Sequence, residues 1–342
     1  MKKTILALAV PALMTAGAAN ATFSLYDANG VVVNLSGKAG AQYMNKYDGR
    51  AKNTAGQDPY LKIDKAEFLL ATSHVVTDSL NVVAGMGFKF KGDTLDKGNV
   101  ENNQLYVGFG SNYGTLTFGR QVMLADKAGN SKAYGLGKKQ VNFLHESGAQ
   151  VIKWVYDNGR FYAGANVDLD NNVNRDKNGR EVVGGRVGMR VDALDARVYV
   201  FNGEKIKSSE FAPTGTALQN VSGFNLETDY KLGKFDASAS YGQVRYENSN
   251  AKSNHNHMNL WQLSSTYKMD ERISVGLGYD IMDSHTVGSY EKYNGNNLYT
   301  NVTYKIHDNT KVFAEIGTAH LKKGSVTQDT DIGYGVGMRV TF

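Results

Sequence analysis

Nine basic side chains fall at alternate positions of segments that otherwise read as apolar: Lys38, Lys89, Lys91, Lys153, Arg186, Arg190, Arg272, Lys305 and Arg339. In an extended chain a period of two puts them on the face opposite the oily residues. Fixed charges in that arrangement make and break no bonds. They bias which ions enter a wet, narrow space, and a low-dielectric wall behind them makes each charge count for more than on an open surface. Bond-making chemistry has no comparable signature. The chain contains no nucleophile elbow, phosphate-binding glycine loop or HExxH. The histidines His74, His145, His255, His257, His285, His307 and His320 are scattered over turns and separate polar segments. His255 and His257 flank Asn256 with no cysteine or carboxylate nearby, so a solvated loop is the default against a metal site.

The segments that must position these charges follow one pattern. From Leu80 to Lys91, Leu80, Val82, Ala84, Met86, Phe88 and Phe90 alternate with Asn81, Val83, Gly85, Gly87, Lys89 and Lys91. About sixteen such runs follow one another from Val31, and no convincing amphipathic helix exceeds three turns. Long polar segments (near Gly92–Asn102, Val122–Ser147, Leu169–Gly179, Glu204–Asn220, Glu247–His257, Ser284–Asn296 and Lys322–Thr330) alternate with short turns such as Ser111–Gly114, Asp157–Gly159 and His307–Asn309. Short turns at one end and long loops at the other describe a transmembrane β-barrel. The last strand, Tyr334–Phe342, puts Tyr334, Val336, Met338, Val340 and Phe342 on one face and stops on an aromatic residue. It suits the seam of a closed barrel, because an open edge in lipid would strand backbone N–H and C=O groups.

Composition is consistent with this. Thirty-eight glycines, 20 tyrosines and only 3 prolines fit a sheet protein. The absence of cysteine argues against a small disulfide-held fold. Lys2 and Lys3, the apolar run Ile5–Met14 and the small-residue site Ala19-Asn20-Ala21 read as a cleaved secretory leader, residues 1–21. Without those two lysines the formal charge falls from +5 to +3, too little to argue for nucleic acid. The barrel domain then runs over 22–342. A soluble sandwich would have to bury the charged faces of these strands.

The opening MKKTILALAV, the segment QLYVGFGSNYGTLTFGRQ (Gln104–Gln121) and the ending YGVGMRVTF resemble the general diffusion porins of the Gram-negative outer membrane, in particular the major porins of Haemophilus and Pasteurella relatives. The likeness extends over essentially the whole chain. It implies an all-β, 16-stranded antiparallel transmembrane barrel, usually trimeric, that passes ions and small hydrophilic solutes without a cofactor. It also implies contact with membrane lipid and lipopolysaccharide, and recognition of the C-terminal strand by the barrel-assembly machinery. The loop that narrows the channel in that family corresponds to about 122–147. Here it holds Asp126 and Glu146 against Lys127, Lys132, Lys138 and Lys139. Where related porins place wall arginines, this chain has Glu67 and Gln104. The expected selectivity is weak and tilts toward anions.

Tyr113, Trp154, Tyr156, Tyr230, Trp261, Tyr267, Tyr279, Tyr304 and Phe342 share phase with aliphatic residues and fit interfacial girdles better than a sugar slide in the lumen. Arg120 shares phase with Leu116 and Phe118, which leaves open a strand end, a bulge or a subunit contact. A barrel enzyme would gather Ser, His and Asp or Glu on one rim, and a surface adhesin would leave the charged lumen unexplained.

Overall fold

The computed structural model describes residues 22–45, 59–91, 99–137, 146–169, 181–207, 218–249, 251–288, 292–329 and 332–342. The leader, Lys138, Lys139 and the side chain of Lys91 lie outside the described residues. The zigzag runs form strands that pair antiparallel with their sequence neighbours: β1 (Phe23–Ala28), β2 (Val31–Asn45), β3 (Tyr60–Thr77), β4 (Leu80–Lys91), β5 (Asn99–Ser111), β6 (Gly114–Val122), β7 (Ser147–Asp157), β8 (Phe161–Asp168) and β9 (Val182–Val191). The second half continues with β10 (Leu194–Lys207), β11 (Leu218–Leu232), β12 (Phe235–Asn248), β13 (Ala251–Lys268), β14 (Ile273–Val287), β15 (Tyr293–His307), β16 (Thr310–Lys323), β17 (Val326–Asp329) and β18 (Gly333–Thr341).

These segments make a closed barrel of 16 strands because three of them share one position in the wall. On the free edge of β16, β17 pairs with His320–Lys323 and β18 with Thr310–Gly317. The other edge of β18 meets β2, from Tyr334 opposite Asn45 to Thr341 opposite Lys38. There Gly37 N–H donates to the Phe342 carbonyl (2.5 Å) and Phe342 N–H donates to the Gly37 carbonyl (3.0 Å). Two residues further along, β1 takes over the same edge of β2, with Phe23 opposite Leu35 and Ala28 opposite Val31. Asn29 (φ 55°) and Gly30 (φ 76°) turn the chain between β1 and β2. A Cβ at position 37 would stand 2.7 Å from the Phe342 ring, so glycine there lets the terminal aromatic lie flat on the seam.

The two faces separate as expected over the middle of the wall. Val82, Met86, Leu105, Val107, Leu263, Leu277, Val302 and Val336 are exposed on the outside. Trp154, Tyr230, Trp261, Tyr267, Tyr279 and Tyr304 are exposed on the same face, in the position of girdles. Two differences from the sequence expectation stand out. Glu247–His257 is no long loop: β12 reaches Asn248 and β13 begins at Ala251, and β14 and β16 likewise run into segments read as polar loops. The strands continue past the stretch where their outer face is apolar, and beyond it the alternation of hydropathy fades while the hydrogen-bond ladder goes on. The inner face is also not polar throughout. Val182, Phe201, Val221, Val244, Met258 and Leu260 point inward and are buried together with Met123, Ala125 and Ala128 from the segment after β6.

Burying an aromatic side chain contributes on the order of 1.5–3 kcal/mol when complete. Phe342→Ala is expected to lower the temperature at which the folded barrel loses its fast electrophoretic mobility in detergent; an unchanged transition would mean that the ring does not hold the seam.

Candidate functional site

The chain leaves β6 at Val122 and turns into the barrel through a short 3-10 turn, Leu124–Lys127. Residues 123–137 then run along the inner wall, and because this segment has no sheet neighbour, wall side chains take up its backbone groups. Leu124 N–H donates to Asn166 Oδ1 (2.9 Å) on β8. Gly129 N–H donates to the Glu227 carboxylate on β11. The Asn130 side-chain amide donates to the carbonyls of Thr228 and Ala239 (both 3.2 Å), and its own carbonyl groups accept from Ser240 Oγ and Ser264 Oγ (both 3.0 Å). Lys132 N–H donates to Tyr299 Oη (2.9 Å) on β15. Glu315 on β16 collects three successive amides: Tyr134 N–H to Oε1 (2.7 Å), then Gly135 and Leu136 N–H to Oε2 (2.8 Å each). The path crosses the inner wall from β8 to β16.

These attachments determine which charges remain in the open. Glu227 and Glu315 are buried at 1% and 3% exposure, the first also held by Arg197 Nε (2.6 Å) and Asn225. Arg197 reaches Asp229 as well (2.6 Å). Asp280 is buried and accepts from Gln262 (2.6 Å) and Asn297 (2.9 Å). Glu227, Asp229, Asp280 and Glu315 therefore sit under the inward segment or within its anchoring network, whereas Asp236 on β12 pairs with Lys268 (3.6 Å). A buried carboxylate is tolerated only with such partners.

The expected site residues distribute as follows. Lys38, Glu67 and Lys89 stand in cross-strand register on β2, β3 and β4, with Lys38 Nζ 3.2 Å from Glu67. Gln104 lies opposite Gly87 on the inner face. Asp126 and Lys127 pair on the 3-10 turn (3.6 Å), and Lys127 is within electrostatic reach of Lys38 and Glu67. Lys132 lies 3.7 Å from Asp229. Arg186 stacks over Tyr162 and Tyr199 (5.0 and 6.0 Å), while Arg190 is held by Asp157 (2.9 Å) and Asp195 (3.3 Å). Arg339 and Lys305 face inward near the short-turn end, Lys305 beside Asp308 (3.2 Å).

Two expectations, Lys153 and Arg272, need correction. Lys153 points inward but is buried, its ammonium donating to the Val122 carbonyl (2.8 Å), so it supports the start of the segment from behind. Arg272 is not on a wall: it lies in the turn before β14, at the mouth. There the backbone N–H groups of Ile273 and Arg272 hold the Asp270 carboxyl below its ordinary value. Glu146 stands where the chain rejoins the wall, its carbonyl accepting from Met123 N–H (2.8 Å).

A family model described as Gram-negative porin matches residues 7–324. The chain is a Gram-negative porin. Porin-like protein H of Photobacterium profundum is 38% identical over the full length of both chains. Among solved structures, a loop-deletion mutant of OmpT, an outer membrane protein of Vibrio cholerae, covers 92% of this porin and all of its own chain at 19% identity and TM-score 0.78. The same protein has also been solved in a trimer form, TM-score 0.73. An anion-selective porin from Comamonas acidovorans shares the fold at 16% identity and TM-score 0.71, covering 91% of this chain and all of its own. The porin thus resides in the outer membrane as a multi-pass barrel and forms a channel for passive diffusion.

Other features of this porin fall outside the expected set. Lys311, Phe313 and Glu315 alternate with Val312, Ala314 and Ile316, so phase alone places them inward. The task of Glu315 and Glu227 as anchors has no signature in sequence. On the outer face His255 lies opposite Glu247, and His257 opposite both Arg245 and His285. Among the described residues no group of three or more ligands is placed to hold a metal. Arg120 also points outward, opposite Leu105, beside a bulge at Gly119–Gln121, and donates to the carbonyl (3.2 Å) and Oδ1 (3.3 Å) of Asn102.

One hydrogen bond to a charged group is worth about 1.5–3 kcal/mol. Glu315→Gln is therefore expected to loosen residues 134–136, giving noisier and larger single-channel currents in planar bilayers; a trace identical to the parent would show that the segment is held without that charge.

Proposed function

We propose that the inward segment, about 122–147 in full, is the constriction of this porin, and that the channel passes small anions somewhat better than cations without performing enzymatic chemistry. The carrying observation is the division of labour among the charges. The acids Glu227, Asp229, Asp280 and Glu315 are engaged in anchoring. Lys38, Lys89, Lys127, Lys132, Lys305 and Arg339 face the bore side, with Glu67, Glu101 and Asp126 the opposing acids. A narrow, low-dielectric passage magnifies such an excess. The description of the Comamonas relative as anion-selective accords with this reading. Under a potassium chloride gradient the reversal potential should carry the sign of chloride preference, and Lys127→Glu should move it toward potassium. A strong potassium preference in the parent channel would overturn the reading.

The assembled form we propose is a homotrimer, in keeping with the trimer form of the Vibrio protein. Arg120 supports it: its guanidinium stands on the outer face between Leu105 and Phe118, where lipid contact would be unfavourable by about 2–4 kcal/mol near mid-membrane. A polar subunit contact removes that penalty. Arg120→Leu should then lower the temperature at which oligomers dissociate on gels; a rise would place Arg120 in lipid. The outer apolar band would meet lipid, with lipopolysaccharide around its polar upper rim. Tyr334, Val336, Met338, Val340 and Phe342 would serve as the strand that the assembly machinery reads, and residues 1–21 as a cleaved leader.

A further inference from the structure

We infer that the short-turn side of the constriction holds a binding site for a small phosphate-bearing anion, so that the channel handles such solutes saturably rather than by free diffusion alone. The inference rests on the anion-leaning reading above and goes beyond it by naming a place and a ligand class.

The cross-strand register carries it. Lys305 on β15 stands directly opposite Lys311 on β16, and Lys311 directly opposite Arg339 on β18. Lys38 of β2 continues the row, opposite Thr341, two residues along from Arg339. Like charges facing one another across an antiparallel ladder are destabilising, and here two such pairs follow in succession on three neighbouring strands. Asp308, beside Lys305, is 87% exposed, and Glu315 is occupied by the backbone of the constriction. An anion bound beside these strands would offset the repulsion along the row.

The site is shaped as well as charged. Tyr134 descends from the constriction and stacks on Phe313, ring centroids 3.7 Å apart and planes within 6°. Lys311 Nζ and the Arg339 guanidinium lie 5.0 and 5.2 Å from the Tyr134 ring centre, so the aromatic pair spaces the two cations. Room for Phe313 comes from Gly337, where a Cβ would lie 2.5 Å from the ring. Tyr134 Oη is fixed to Thr303 Oγ1 at 2.7 Å. Beneath lies a cavity of about 520 Å³ bordered by Lys38, Lys132, Lys305, Lys311 and Arg339, with Asp308 also in its lining and the Thr310 hydroxyl among its donors. Arginine and lysine in one wall suit the tetrahedral oxygens of a phosphate group, and the threonine hydroxyl adds a neutral donor. The volume leaves space for a small organic body attached to the phosphate.

The test uses the intact porin in planar bilayers with inorganic phosphate as probe, at a pH where it is a dianion. Conductance in potassium phosphate should saturate with concentration while conductance in potassium chloride does not, and added phosphate should depress the chloride current through the unaltered channel. Lys311→Gln should raise the half-saturating phosphate concentration about tenfold, equivalent to about 1.4 kcal/mol, and Arg339→Lys, which keeps the charge, should largely preserve it. Phosphate conductance that rises linearly, or a Lys311→Gln channel whose chloride and phosphate currents change in parallel, would overturn the site. If the chloride reversal potential still shows anion preference in that event, the general selectivity stands and only the site fails. Potassium preference would remove both.

Discussion

A backbone amide shut away from bulk water must find an acceptor, and that requirement governs both the wall and the segment that crosses it. In the wall the ladders satisfy one another and the barrel has no open edge. Residues 123–137 have no such neighbours. Their amides are met by carboxylates and amide side chains projecting from β8 to β16, above all Glu227 and Glu315. Acids accept several N–H groups at once and hold them more firmly than neutral groups do. Drawing the carboxylates beneath the segment leaves the lysines and arginines of β2, β4, β15 and β18 on the wet side. The placement of charge on the inner wall thus follows from how the inward segment is fastened.

The apolar packing inside the barrel reinforces this asymmetry. Val182, Phe201, Val221, Val244, Met258 and Leu260 fill the inner side of β9–β13 against Met123, Ala125 and Ala128. That region behaves as a small core, and the Lys153 ammonium desolvated beside it is held beneath the segment by the Val122 carbonyl. The exposed inner charges lie elsewhere, on Lys89 and Lys305 among others.

Strand phase made the wall legible from sequence: Lys38, Lys89, Arg186, Arg190, Lys305 and Arg339 all face inward because a period of two leaves no other choice once the oily face is assigned. What remained hidden has physical causes. The upper parts of β12–β14 are strands whose outer residues, such as Arg245, His257 and His285, are polar, so their hydropathy no longer alternates although their hydrogen bonds do. β1 is short, and only its partner strand shows that it belongs to the wall. Glu227, Glu315 and Tyr134 look like any other polar residue in sequence; their roles depend on a segment nearly 100 or 180 positions away. Lys153 and Arg272 obeyed or nearly obeyed phase, but phase says nothing about what covers a side chain or where a strand begins.

The closing position of the wall is assembled from β17 and β18 at one end of the described chain and β1 at the other, meeting around Gly37 and Phe342. Neither end finishes the cylinder by itself. A chain cut short near its tail would present the edge of β16 to acyl chains, and one lacking β1 would leave the lower rim of β2 bare. Only a polypeptide carrying both β1 and β18 hides the last row of donors and acceptors on this edge of β2.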